Sequence, residues 1–263
     1  MSESFHITLV QADLAWEQPE QNRSMLDELL ATTTGSDLIL LPEMFTTGFS
    51  MQAARLAEPT DGPTLAWMRH LAARKDALVC GSFIATEGGR YYNRMLGVQP
   101  DGSYTAYDKR HLFRMAGEQE VYEAGDQRPI LHWRGWRILP LVCYDLRFPV
   151  WSRNHIDHTE LAYDLALYVA NWPERRSAHW QKLLAARAIE NQAYVAGVNR
   201  VGKDGLDHVY AGHSALYDYQ GEVLCGLSPH QVGVATCTLS LNSLRQYRDR
   251  FPAWMDQDTF SLH

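Results

Sequence analysis

The apolar run Ile138-Leu139-Pro140-Leu141-Val142 has the length of a buried strand, and it stops at Cys143, after which Tyr144-Asp145-Leu146-Arg147 turns polar. A nucleophile placed where a strand turns toward a helix has an accessible side chain, with the next backbone N–H groups aimed at bound substrate. That geometry suits acyl transfer. A free cysteine at a strand end is more often a small apolar filler, so its partners decide. A thiol of ordinary pKa is barely ionised near neutrality and needs a base within hydrogen-bond reach or a nearby cation. Glu43 and Lys109 offer both. The carboxylate can take the thiol proton and return it to a departing nitrogen, while the ammonium stabilises a tetrahedral oxyanion. Glu118, Arg147 and Asn171 join them at the carboxyl ends of buried strands or in the loops that follow, the edge where open α/β sheets build their sites.

Elements that position these residues are readable in order. Phe5 to Gln11 reads as a strand, and Pro19 to Ala31 as a helix with Met25, Leu26, Leu29 and Leu30 on one face. Asp37 to Leu41 is short and continuously apolar, as a strand covered on both faces should be, and ends at Pro42-Glu43. A helix over Pro63 to Lys75 and a strand over Ala77 to Thr86 follow. The turn signals Gly88-Gly89 and Pro100-Asp101-Gly102 separate Tyr91 to Gln99 from Ser103 to Asp108, which predicts an antiparallel meander and hence mixed sheets. Lys109 then opens a long aperiodic loop through Gly125-Asp126, of a length that is usually functional. Ile130 to Val142 supplies two strands broken at Gly135, and Phe148 to Asn154 a short helix. Leu165 to Ala170 is a buried strand ending at Asn171-Trp172-Pro173. Ser177 to Gln192 is the clearest helix, with Ser177 as its expected cap. Tyr194 to Asn199 is a strand, Asp218 to Gly221 a turn into two final strands, and Leu241 to Asp249 a helix. The tail from Phe251 carries large apolar groups too short to bury themselves, so docking on this subunit or a neighbour is expected.

Composition narrows the classes. With 46% hydrophobic residues the chain can build a sizeable core. Acidic residues number 31 against 24 basic, a net charge of -7, and no basic run could follow a phosphate backbone, so nucleic acid is not an expected partner. No apolar run approaches membrane-spanning length, and the amino terminus lacks a charged region followed by an apolar stretch. A cytoplasmic protein without membrane contact is expected. Cys80, Cys143, Cys225 and Cys237 are far apart with no C-x-x-C pair, so four reduced thiols are expected, the other three packed in apolar strands. His155-Ile156-Asp157-His158 raises the question of zinc. With no further ligand pair nearby it reads as a surface loop.

Several stretches, in order, resemble the nitrilase superfamily of carbon–nitrogen hydrolases. They are Leu41-Pro42-Glu43-Met44-Phe45 with Gly48-Phe49, Tyr107-Asp108-Lys109-Arg110-His111-Leu112, Leu141-Val142-Cys143-Tyr144-Asp145-Leu146-Arg147-Phe148-Pro149, Ala170-Asn171-Trp172-Pro173, His179-Trp180 leading to Arg187-Ala188-Ile189-Glu190-Asn191, and Gly212-His213-Ser214. The resemblance implies an α/β fold, a four-layer αββα sandwich with two mixed sheets. A hydrolase domain would span residues 1–240, and a helix and tail over 241–263, part of the same domain, would dock at a subunit interface. It implies a Glu43-Lys109-Cys143 triad, with Glu43 as general base and acid, Lys109 at the oxyanion and Cys143 as nucleophile, and neither metal nor organic cofactor. A second glutamate usually stands seven residues before a glycine. Glu118 stands so before Gly125, with Glu120 and Glu123 in the same loop. Tyr144, Arg147, Asn171, Trp172 and Phe49 would bind substrate, the Tyr144 N–H completing the oxyanion hole.

Within the superfamily, Val169 to Pro173, Arg187 to Gly202 and the short tail look most like the small bacterial ω-amidases, which deamidate 2-oxoglutaramate and related ω-amides of dicarboxylic acids. A carboxylated substrate requires a fixed cation. Arg147 is the candidate, and its bland alternative is an ion pair with Asp145 or Glu190 that braces the turn. His213 could line the pocket or be a satisfied buried histidine. The alternatives are an N-carbamoyl-amine hydrolase or another amidase of the superfamily, and a catalytically silent binding or scaffold member. A homodimer or higher homo-oligomer is expected.

Overall fold

The computed structural model describes residues 4–157 and 160–259. Its strands are β1 (Phe5–Gln11), β2 (Leu38–Leu40), β3 (Leu78–Glu87), β4 (Arg90–Val98), β5 (Tyr104–Asp108), β6 (Leu131–Trp133), β7 (Trp136–Val142), β8 (Leu165–Ala170), β9 (Tyr194–Asn199), β10 (Val201–Lys203), β11 (Val209–Ala211), β12 (Ala215–Tyr217), β13 (Val223–Gly226) and β14 (Gly233–Leu239). The long helices are α1 (Pro19–Leu29), α2 (Pro63–Lys75), α3 (Ser177–Asn191) and α4 (Leu241–Arg250). One sheet runs β14-β1-β2-β3-β4-β5, with the two-residue strand Glu58–Pro59 paired off this path to β3. The other runs β13-β12-β9-β8-β7-β6. Each is mixed. β1-β2-β3 and β7-β8-β9 are parallel, and hairpins and antiparallel edges flank them.

β2 explains the four layers. Successive strand residues face opposite sides. Leu38 and Leu40 accordingly join the core between the two sheets, with Ile7, Cys80, Ile138 and Leu167, whereas Ile39 and Leu41 join the core under the helices, with Leu26, Leu30, Met68 and Leu71. Both faces are covered, which is why the run is apolar without alternation. Each such fully buried side chain stabilises the fold by roughly 1.5–3 kcal/mol. On the far face of the second sheet, Trp180, Leu184 and Ala188 of α3 and Leu244 of α4 close the fourth layer. Gly197 of β9 lets α3 approach, because a Cβ there would stand 2.4 Å from Leu184 Cδ1 and 2.8 Å from Trp180.

Three local expectations change. Ser177 is not a cap: a 3-10 turn over Glu174–Arg176 runs straight into α3, so the chain enters the helix already wound. Cys225 and Cys237 are not free thiols but a disulfide, with Cα atoms 6.1 Å apart. β13 closes the second sheet and β14 the first. The bridge links the two layers where their edges meet, a proximity that spacing along the chain does not reveal. Cys80 is a buried free thiol, as expected. Finally, His155 precedes a small antiparallel pair, Ile156–Asp157 with Glu160–Leu161. His158 and the tail residues 260–263 lie outside the described residues. Among the described residues no group of three or more His, Cys, Asp or Glu side chains could hold a metal, and no helix is long and apolar enough to cross a membrane.

Candidate active site

β7 ends at Val142 in extended geometry, and Cys143 follows with φ 44°, opening a 3-10 turn over Cys143–Arg147. A positive φ at a non-glycine residue is strained backbone that the surroundings must hold. Asp145 supplies the hold. Fully buried, it accepts hydrogen bonds from the Val142 N–H at 3.0 Å, the His111 N–H at 3.0 Å, His111 Nδ1 at 2.8 Å and the Tyr107 hydroxyl at 2.6 Å. Trp151 Nε1 donates in turn to Tyr107 at 2.9 Å, and His111 stacks on Phe148 with ring centroids 3.8 Å apart. Arg187 braces the same turn, donating to the Leu146 carbonyl at 2.7 Å and pairing with Glu190 at 2.9 Å. Both carboxylates that could have bound Arg147 are therefore engaged elsewhere.

Glu43 leaves the end of β2, Lys109 the end of β5, and Glu118 a second 3-10 turn over Glu118–Glu120. All three side chains are fully buried. Lys109 Nζ lies 3.0 Å from Glu43 Oε1 and 2.9 Å from each Glu118 oxygen. Burial alone would lower the lysine pKa, but Glu118 and Glu43 outweigh it and hold it raised, so the ammonium stays charged. Burial and the Glu43 charge push the Glu118 carboxyl up against the pull of Lys109. The Cys143 thiol is pushed well up, first by burial and then by the Glu43 charge, with Lys109 opposing. The resting sulfur therefore keeps its proton. Glu120 and Glu123 are exposed, so the geometry selects Glu118 from the three glutamates of this loop.

Asn171 sits beside Glu43 and holds it: its backbone N–H donates to Glu43 Oε2 at 2.7 Å and its Nδ2 to the Glu43 carbonyl at 2.7 Å. Asn93, which the sequence reading missed, has a similar role. Its Nδ2 donates to Glu43 Oε1 at 2.8 Å and reaches Glu118 Oε1 at 3.4 Å. It arrives there through the β3–β4 register opposite Ile84, and no local sequence signal marks it.

Cys143 and Lys109 open onto a cavity of about 270 Å³ that Phe49, Tyr144, Arg147, Asn171 and Trp172 also line. All five residues expected to bind substrate reach one space. The Phe49 ring covers Lys109 Nζ at 5.0 Å, and the Arg147 guanidinium lies 4.6 Å from the Trp172 ring centre with His179 Nδ1 at 3.2 Å from Nη2. His213 does not line the cavity, and its carbonyl accepts from Trp180 Nε1 at 3.0 Å. One wall was unforeseen. β10 and β11 form a short hairpin whose Asp204 accepts from the Tyr210 hydroxyl at 2.8 Å and the His208 N–H at 2.9 Å. Three-residue strands are too short to show periodicity.

Two mixed sheets packed face to face between helices, with a buried carboxylate–ammonium pair against a thiol at a strained strand end, define a thiol-dependent hydrolase site. The chain belongs to the carbon–nitrogen hydrolase family, whose pattern matches residues 6–249. It is 54% identical to Omega-amidase YafV of Yersinia enterocolitica, over 97% of this chain and 98% of that protein. It is 30% identical to the 2-oxoglutaramate amidase of Bacillus subtilis over 95% and 96% of the two chains. A CN-hydrolase superfamily protein from Xanthomonas campestris, solved with an arsenic adduct in its active site, shares the fold with a TM-score of 0.97 and 47% identity over the full length of both chains.

Proposed function

We propose that the protein is an ω-amidase, hydrolysing the terminal carboxamide of small ω-amides of dicarboxylic acids, 2-oxoglutaramate among them, to the acid and ammonia. The observation that carries this reading is a thiol, a lysine held by two buried glutamates and a carboxylate-free arginine all reaching one cavity. The relatives with ω-amidase and 2-oxoglutaramate amidase activity in their names support it.

In this mechanism Glu43 accepts the Cys143 proton as sulfur forms a bond to the carboxamide carbon. The high thiol pKa makes proton removal concerted with attack, since a free thiolate is scarce. The oxyanion is met by the Lys109 ammonium and the Tyr144 N–H, and Lys109 costs no reorganisation because Glu43 and Glu118 already fix it. Collapse breaks the carbon–nitrogen bond, Glu43 returns the proton to nitrogen, and ammonia leaves a thioester on Cys143. Glu43 then deprotonates a water, with Glu118 fixing its position, and the thioester gives the carboxylic acid and the thiol. Arg147 meets the substrate's free carboxylate, with Trp172 and Phe49 as apolar walls. The unit that does this comprises residues 1–240 with the helix and tail 241–263, in the cytoplasm as a homodimer or larger homo-oligomer. Phe251 and Met255, exposed at 56% and 64%, are the tail's docking groups in that reading, and sedimentation analysis tests it.

Ammonia release from 2-oxoglutaramate, succinamate, glutaramate and N-carbamoyl compounds tests the substrate class. Preference for a carbamoyl compound would overturn the ω-amidase reading.

A further inference from the structure

The cavity carries opposite charges at its two ends. Lys109 and Cys143 line its floor, and behind them the buried Glu43 and Glu118 face that single ammonium, while the thiol is neutral. Its rim carries three guanidiniums, those of Arg147, Arg175 and Arg176. Among the described residues none of these three has a carboxylate within ion-pair distance. The one acidic residue lining the cavity, Asp204, is engaged by Tyr210 and His208. In a chain of net charge -7 such an unneutralised cluster is out of keeping with the rest of the composition.

The three arginines differ. Arg175 is exposed, so water solvates its charge. Arg176 and Arg147 are half-buried, and each lays its guanidinium against an aromatic ring, Arg176 at 5.4 Å from Phe113 and Arg147 at 4.6 Å from Trp172. Such stacking occupies the face of the plane and leaves for an anion the N–H edge of Arg176 and the part of the Arg147 edge that His179 does not take. Burial, and then repulsion from Arg175 and Arg147, lowers the Arg176 pKa, so the charge is held in a place unfavourable for it until an anion arrives. Backbone winding puts it there: the Arg176 carbonyl accepts from Trp172 Nε1 at 2.9 Å in the 3-10 turn that leads into α3.

We propose that Arg176 is a second specificity-determining residue, forming with Arg147 a two-guanidinium subsite that grips the free carboxylate of an anionic amide. This deepens the ω-amidase reading and rests on it. The floor's excess negative charge turns the carboxylate outward and the neutral carboxamide toward Cys143. After hydrolysis the newly formed carboxylate stands at that negative floor, which favours departure of the product. Lysine at position 176 keeps the charge but neither stacks on Phe113 nor offers a planar N–H edge.

The experiment compares kcat/KM for succinamate with that for 4-oxopentanamide, a neutral compound of nearly the same shape, in wild type, Arg176→Gln, Arg176→Lys and Arg175→Gln. Hydrogen bonds to a charged group set the scale, so Arg176→Gln should lower the succinamate-to-oxopentanamide ratio roughly 10- to 100-fold, chiefly through KM. Arg176→Lys should recover part of that loss, and Arg175→Gln should change the ratio less than about 3-fold, since exposed charges contribute little. Added salt should depress the ratio more in wild type than in Arg176→Gln. Equal losses on both substrates, with an unchanged ratio, would mean that Arg176 only braces the pocket and would overturn the proposal. So would an unchanged rate on both. A wild-type enzyme with no preference for succinamate would overturn the ω-amidase reading itself, an outcome distinct from a preference that survives Arg176→Gln.

Discussion

Replacing Lys109 with methionine keeps most of the buried chain, one atom shorter, and removes its charge, leaving Glu43 and Glu118 facing each other with only Asn93 donating to both. Uncovering a buried charge in this way typically costs about 3–5 kcal/mol. A proton limits the cost. Glu118, which burial and Glu43 already push up, can become neutral, and at pH 7 holding a proton that an unfolded glutamate of pKa ~4.3 would have lost costs at most about 3.7 kcal/mol. At pH 5.5 the same ceiling is about 1.6 kcal/mol. The sign follows from linkage. An acid whose folded pKa is raised binds more protons folded than unfolded between the two pKa values, so stability falls as pH rises through that window. Lys109→Met should therefore be destabilised by about 2–4 kcal/mol at pH 7, and by no more than about 1.6 kcal/mol at pH 5.5, relative to wild type at the same pH. Urea unfolding of both proteins at the two pH values, followed by tryptophan fluorescence, is the assay. A destabilisation below about 1 kcal/mol at pH 7, or one that does not shrink on acidification, would refute the argument that Lys109 neutralises two buried carboxylates. Turnover should fall to trace at both pH values.

Other consequences can be checked with single variants. Cys143→Ala should show no ammonia release above background, and residual turnover in clean protein would exclude the thioester route. Because burial and Glu43 push the thiol well up, iodoacetamide labelling of Cys143 should climb steadily across pH 6–9 without levelling off. Glu118→Gln removes a charge that holds this thiol up and should shift the labelling curve to lower pH, even as turnover falls at least about 100-fold. A shift to higher pH would contradict the electrostatics. Tyr107→Phe deletes a buried hydroxyl that donates to Asp145 at 2.6 Å and accepts from Trp151, and should cost about 1–3 kcal/mol in urea unfolding.

Much of the site was legible along the chain, because the signals are local. The run ending at Val142 must be a buried strand, so Cys143 lies at a strand mouth whatever surrounds it. The run ending at Leu41 places Glu43 likewise, and apolar continuity at β2 already requires cover on both faces. What these residues do to one another was not local. Glu43 and Lys109 meet only because β2 and β5 belong to one sheet, and Asn93 meets both glutamates through strand register. Arg147, with two candidate carboxylates in the sequence, was left without one when His111 and Tyr107 engaged Asp145 and Arg187 engaged Glu190. Cys225 and Cys237 lie in different sheets and met only where the layers' edges join. Strand continuity and turn chemistry are properties of neighbouring residues. Pairing, burial and the charge at a cavity rim depend on which elements pack together, and so tertiary structure alone decided that Arg176 faces the substrate pocket beside Arg147.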